Sequence, residues 1–170
     1  VPTNGIAIFG FVNTPECQWG GTPGFWSSRV ALKKFSMATL AGWFNNIVTT
    51  SEWFEDSLAS PNNAIAYSWM VAILKQTGGG TYEKTVEHFQ GQYLATRLNA
   101  MSGWIPLPSV HDITSVPDAA AYFGYDSGTL ADVISTIESK AEGDILLPPP
   151  AQSEVLIMLT VCDRLNNALI

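Results

Sequence analysis

Few side chains in this chain could act on a substrate or hold a metal: two histidines, two cysteines and a scatter of carboxylates. His111 is followed by Asp112, the pairing of base and orienting acid that a hydrolase triad uses. Such a triad also needs a serine nucleophile, and the sequence has no G-x-S-x-G elbow to present one. His88 stands beside Glu87 on the polar side of a helical pattern and reads as a solvated residue. Asp126, Ser127, Gly128 and Asp132 superficially resemble a calcium loop, but the remaining EF-hand positions are missing, and Ser127 reads better as a helix cap. Gly78, Gly79 and Gly80 lack the lysine and hydroxyl of a phosphate-binding loop and read as a turn. Glu83, Gln90 and Arg97 recur at seven-residue spacing along one helix, as rim residues or as the lining of a polar groove between helices. The cysteines show neither a C-x-x-C spacing nor a nearby histidine that would make a zinc site. The sequence therefore predicts no catalytic residue, no metal and no cofactor.

The elements that would position any site are helical. At 170 residues with 46% hydrophobic side chains, the chain fits one ordered domain. No apolar run reaches the roughly 20 residues of a bilayer-spanning helix; the longest candidate is Val155–Val161. Charged residues make up 14%, against about 25% in an ordinary soluble domain. Much of the surface must therefore be neutral polar or apolar. This fits either a surface covered by neighbours or sugars, or an exported protein with a neutral exterior. The net charge of −7, with Lys33 and Lys34 as the sole adjacent basic pair, excludes a phosphate-tracking nucleic-acid binder.

Residues 1–16 read as an extended arm. Pro2, Gly5, Gly10 and Pro15 punctuate an apolar run in which Ile6, Ile8, Phe9, Phe11 and Val12 give both faces hydrophobic side chains. No other segment offers it a partner strand. Residues 17–170 form the second unit, a helical domain. The spacing predicts a helix over Ser27–Val48, a short Ser51-capped helix to Leu58, and a helix from Asn62 or Asn63 to Lys75. The body of that last helix, apolar nearly all round, suggests a place at the bundle centre. Next comes a long amphipathic helix over Thr81–Met101, with Val86, Phe89, Tyr93, Leu94 and Met101 inward and His88, Gln92 and Asn99 outward. A loop to residue 117 leads to a helical turn over Pro117–Phe123, a Ser127-capped helix to about Glu142, and a last helix over Ser153–Leu169. The expected class is all-α: an irregular bundle of about six helices with an extended N-terminal arm.

Cys17 precedes the first helix and Cys162 lies inside the last. They are either two buried thiols or a disulfide that ties one end of the fold to the other. The disulfide is the stronger reading, worth about 5 kcal/mol in the chain-entropy account, and it places the protein in an oxidising compartment. The beginning at Val1 reads as what removal of a signal peptide would leave.

The stretch Cys17, Gln18, Trp19, Gly20, Gly21, Thr22, Pro23, Gly24, Phe25, Trp26 resembles a motif of exported microbial proteins of uncharacterised function, in which a Cys is followed by Thr-x-Gly-Phe/Tyr-Trp at the head of a helical domain. Gln92–Asn99 resembles that group's second recurring segment, and Cys162 matches its late cysteine. The group commonly continues with Lys and His where this chain has Ser27, Ser28 and Arg29, so no role for that basic pair carries over. The resemblance implies export and a Cys-closed helical domain, and no chemistry. Physically, Pro23 suits the first turn of a helix, and Phe25 and Trp26 read as a plug of the core or as an aromatic binding platform.

These features together predict a non-enzymatic extracellular structural protein that self-assembles as a homopolymer, a filament or surface-array subunit, through the arm residues Ile6, Ile8, Phe9, Phe11 and Val12. The alternative is a secreted helical domain that binds a small ligand in its aromatic-rich interior or, less favoured, a hydrolase.

Overall fold

A computed structural model describes residues 20–141 and 149–167. The arm residues Ile6–Val12 and Cys17 lie outside the described residues. Within them, eight α-helices run in the order α1 (Pro23–Trp26), α2 (Arg29–Lys34), α3 (Met37–Val48), α4 (Asn63–Leu74), α5 (Tyr82–Met101), α6 (Ala119–Phe123), α7 (Leu130–Ala141) and α8 (Gln152–Asn166). A single 3-10 turn, Asp56–Leu58, precedes α4. A two-stranded antiparallel ribbon, β1 (Val110–Asp112) with β2 (Ser127–Thr129), joins His111 to Gly128 in register. The helical class holds, with this ribbon as an addition.

The expected helix over Ser27–Val48 is three helices, and two serines explain the breaks. Ser28 Oγ accepts the N–H of Val30 and heads α2; Ser36 Oγ accepts the N–H of Thr39 at 3.0 Å and heads α3. Each hydroxyl offers the backbone an alternative to the helical ladder, which is why serine favours caps over interiors. Ser51–Leu58 is not a helix either. Consecutive aromatics Trp53 and Phe54 are both buried, and Trp53 Nε1 donates to the carbonyl of Ile137 at 2.9 Å. Thr129, rather than Ser127, caps α7: its hydroxyl accepts from Asp132 N–H while Asp132 Oδ2 accepts from Thr129 N–H at 2.9 Å. Ser127 pairs with Asp112 in the ribbon.

The bundle centre belongs to α5, not α4. Thr85, Phe89, Tyr93, Leu94, Ala95, Thr96, Leu98 and Asn99 of α5 are buried, and the helix packs on α1, α3, α4 and most extensively α8. Val155, Met158, Val161, Cys162 and Leu165 supply the facing side of α8. Helix α4 buries only Ala66, Met70, Ile73 and Leu74, and leaves Ile65 43% exposed. Met101, expected inward, is exposed, and Asn99, expected outward, is fully buried. The closing disulfide is not shown. Cys162 is a buried thiol whose pKa burial pushes up to about 12.

Gly91 lets α4 lie close on α5. A Cβ there would sit 2.9 Å from the carbonyl oxygen of Ile73, a backbone atom with little room to yield. Gly42 in α3 has nothing within 4 Å of its would-be Cβ. Helix propensity alone makes both Gly→Ala changes stabilising, by roughly 1 kcal/mol. The surroundings reverse the sign at one of them. Urea unfolding should show Gly42→Ala raising stability by about 0.5–1 kcal/mol and Gly91→Ala lowering it by about 1–3 kcal/mol through overpacking.

Candidate functional site

The segment Gly21–Trp26 heads the described fold and is held from inside. Thr22 takes the extended N-cap conformation and its hydroxyl accepts the N–H of Phe25; Pro23 follows where its missing N–H is not needed. Asn99 is the anchor. Its Oδ1 accepts from Gly21 N–H at 2.6 Å and from Trp26 Nε1 at 3.1 Å, and its Nδ2 donates to Gly21 O at 3.0 Å and to Asn166 Oδ1 at 2.9 Å. That uses both lone pairs and both N–H groups of a buried amide. Asn166 is equally committed. Its Nδ2 donates to Gln92 O at 2.9 Å and Gln92 Oε1 at 3.0 Å, while Oδ1 also accepts from the Thr96 hydroxyl at 3.1 Å.

Three stretches that the sequence reading singled out separately therefore converge. Gly21 and Trp26 meet Gln92, Thr96 and Asn99 of α5, and Asn166 lies one turn beyond Cys162 on α8. Sequence reasoning placed Gln92 and Asn99 outside because a polar residue on an amphipathic helix is usually solvated. The signal that would have placed Asn99 inside is the neighbouring demand for partners: Gly21 and Trp26 bring three polar backbone and indole groups into an apolar core.

Trp26 is fully buried and surrounded by rings: Phe35 stacks at 5.6 Å, Trp104 lies at 5.1 Å and Phe25 packs edge-on at 5.1 Å. Lys34 Nζ sits 4.7 Å over the Trp104 ring. Trp26 is thus a core plug. Phe25 is half-buried within the same cluster, with Trp104 at 4.7 Å.

The other candidates separate. His111 Nε2 lies 2.8 Å from Ser109 Oγ, but that hydroxyl also donates to Pro106 O at 2.6 Å, so its proton is directed away from the imidazole. Asp112 is next to His111 in β1, where successive side chains face opposite ways, and its Oδ1 accepts from the N–H and hydroxyl of Thr114 at 2.9 and 2.7 Å. The triad geometry is not assembled. Glu83 is exposed at the start of α5, and Gln90 Nε2 donates to Trp53 O at 2.6 Å. Arg97 Nη1 pairs with Glu138 Oε1 at 2.5 Å, an oxygen that also accepts from Tyr93 Oη at 2.5 Å. Burial holds the Tyr93 phenol well above its ordinary pKa. Gln90 and Arg97 tie α5 to its neighbours, Glu83 does not, and the three form no common site. Among the described residues no group of three His, Cys, Asp or Glu side chains could hold a metal, and no helix is long and apolar enough to cross a membrane.

No protein-family model, curated protein or solved structure matches this chain.

Replacing Asn99 by Ala strands the Gly21 N–H, Gly21 carbonyl and Trp26 indole N–H in the core, each at roughly 1–3 kcal/mol. The Asn99→Ala protein should lose at least about 3 kcal/mol in urea unfolding, with Trp emission shifted to longer wavelength. An Arg97→Met protein, in which the partly buried Glu138 carboxylate keeps its bond from Tyr93 Oη, should lose less.

Proposed function

We propose that this chain is a non-enzymatic extracellular structural subunit that assembles with itself, the apolar arm of one copy lying on the α3–α4 face of the next. The observation that carries this reading is the character of that face. Helices α3 and α4 pack side by side, and neither contains a charged residue. Both nevertheless lie at the surface. Met37 and Ile65 are 39% and 43% exposed, Ala38, Gly42, Ser68 and Ala72 are exposed, and Trp69 is half-buried. A surface helix of a free-standing protein normally carries a charged outer stripe, and apolar side chains exposed on two neighbouring uncharged helices are of the kind interaction surfaces use. The residues Ile6–Val12 match it in kind, being uncharged and apolar on both faces. A head-to-tail contact between an arm and a distant face propagates without closing, which gives filaments or arrays.

The Cys17–Cys162 disulfide belongs to the same reading and has geometric support. Gly20 lies against the carbonyl oxygens of Leu165 and Asn166, where a Cβ would come within 3.1 and 3.0 Å of them. Cys162 is about one helical turn, roughly 5 Å, before those residues. Three residues span at most about 10 Å, a length that permits a bridge from residue 17 to Cys162. The depth of Cys162 makes its thiol a poor thiolate in the folded state.

Two measurements test this reading. Deleting residues 1–16 should leave a folded monomer by circular dichroism and sizing, and Ile65→Lys with Ala72→Lys should abolish assembly in the full chain. An insoluble truncation, or unchanged assembly in the doubly charged variant, overturns it. For the disulfide, intact mass of the oxidised, unreduced chain should be about 2 Da below that of the dithiol. Cys17→Ser should lower stability by up to about 5 kcal/mol; two alkylatable thiols in protein from an oxidising compartment would refute the bridge.

A further inference from the structure

Beside the Gly21–Trp26 segment lies a groove of about 460 Å³ whose chemistry the assembly reading does not use. Its size falls in the small-molecule range of about 300–1,000 Å³. Thr22 and Ser27 form one wall, Gln76 at the end of α4 and His88 with Gln92 of α5 another, and Asp163 of α8 a third. We propose that this groove binds a small organic cation bearing N–H donors, a primary ammonium.

Three independent observations point to positive charge with donors. Asp163 is half-buried as a residue, yet the ion pairs among the described residues are Lys84–Glu87 and Arg97–Glu138 only. What Asp163 does have is two long bonds to neutral amides, from Gln92 Nε2 and Asn167 Nδ2, both 3.2 Å and both to Oδ1. A partly desolvated carboxylate without a cation is incompletely compensated. Next, α4 and α8 both end at this groove, at Leu74 and Asn166, so two helix C-termini bring the negative ends of their dipoles to it. Last, Gln76 Oε1 is the one buried side-chain oxygen or nitrogen among the described residues without a hydrogen-bond partner. Gln76 lines the groove and is half-buried as a residue, so a ligand N–H that reached this acceptor would be its first partner. The one cation on the lining, Lys75, is exposed. An ammonium seated between Asp163 and Gln76 satisfies the carboxylate and the orphan acceptor together.

The test is saturation-transfer NMR on the full chain, which reads binding to a monomer or an assembly alike. The probe is n-butylammonium; tetramethylammonium, of equal charge and without donors, is the control. Asp163→Asn should weaken n-butylammonium binding at least about tenfold, the size expected for a hydrogen bond to a charged group. Gln76→Leu removes the unpaired acceptor, keeps or raises the thermal midpoint, and should weaken binding several-fold. Absence of transfer to n-butylammonium, equal binding of tetramethylammonium, or unchanged binding in Gln76→Leu overturns the proposal. The last outcome decides the matter even if Asp163→Asn fails to fold.

Discussion

The fold depends on one buried amide. Asn99 sits fully inside the core with all four of its hydrogen-bonding positions filled, and its partners come from segments 67 to 78 residues away in sequence. Such a group is costly to bury and cheap to keep only when every bond is made. Its presence therefore forces Gly21, Trp26 and Asn166 into a single mutual arrangement. Apolar packing between α5 and α8 would tolerate small slips along the helix axes. The Asn99–Asn166 pair does not, because a slip of one residue would leave several polar groups unmatched.

Two further features follow from that anchor. Gly21 is required to be glycine, because a Cβ there would fall 2.5 Å from Trp26 Nε1, the same nitrogen that bonds Asn99. The chain entering at Gly20 is pressed against the last turn of α8, beside Leu165 and Asn166. The head of the helical domain and its final helix are thus joined through α5 by non-covalent bonds, and a bridge from Cys17 to Cys162 would add a covalent tie across a junction already specified by hydrogen bonds.

Much of the helix content was legible in the sequence, and the misreadings share physical causes. Asn62 or Asn63 was readable as the cap of α4, and Asn62 is the one that caps it; Leu130, Val133, Ile134 and Ile137 were readable as the inward stripe of α7, where all but the half-buried Ile134 are buried, because caps and periodic apolar stripes are local signals. The break of Ser27–Val48 was less visible: apolar spacing continues through Ser28 and Ser36, and only the serine caps reveal that the chain turns. The exchange of roles between α4 and α5 had a different origin. Composition suggested that an uncharged helix is central and a mixed one peripheral, whereas α5 is central because its polar residues are consumed by partners distant in sequence. The same reasoning hid the groove, since His88 and Gln92 read singly as outward residues and only tertiary packing brings them to the same groove as Asp163. The short ribbon between Val110–Asp112 and Ser127–Thr129 has three-residue strands, too few for alternation to register.

The absence of charge from α3 and α4 has a thermodynamic consequence of its own. Contacts made on such a face contain no Coulombic term for dissolved salt to screen, so ionic strength in the physiological range has little hold on them. Their driving force is instead the release of water from apolar surface, which is mainly entropic near room temperature and weakens on cooling. Whatever rests on that face is held more firmly as the solution warms, and cold loosens it where brine does not.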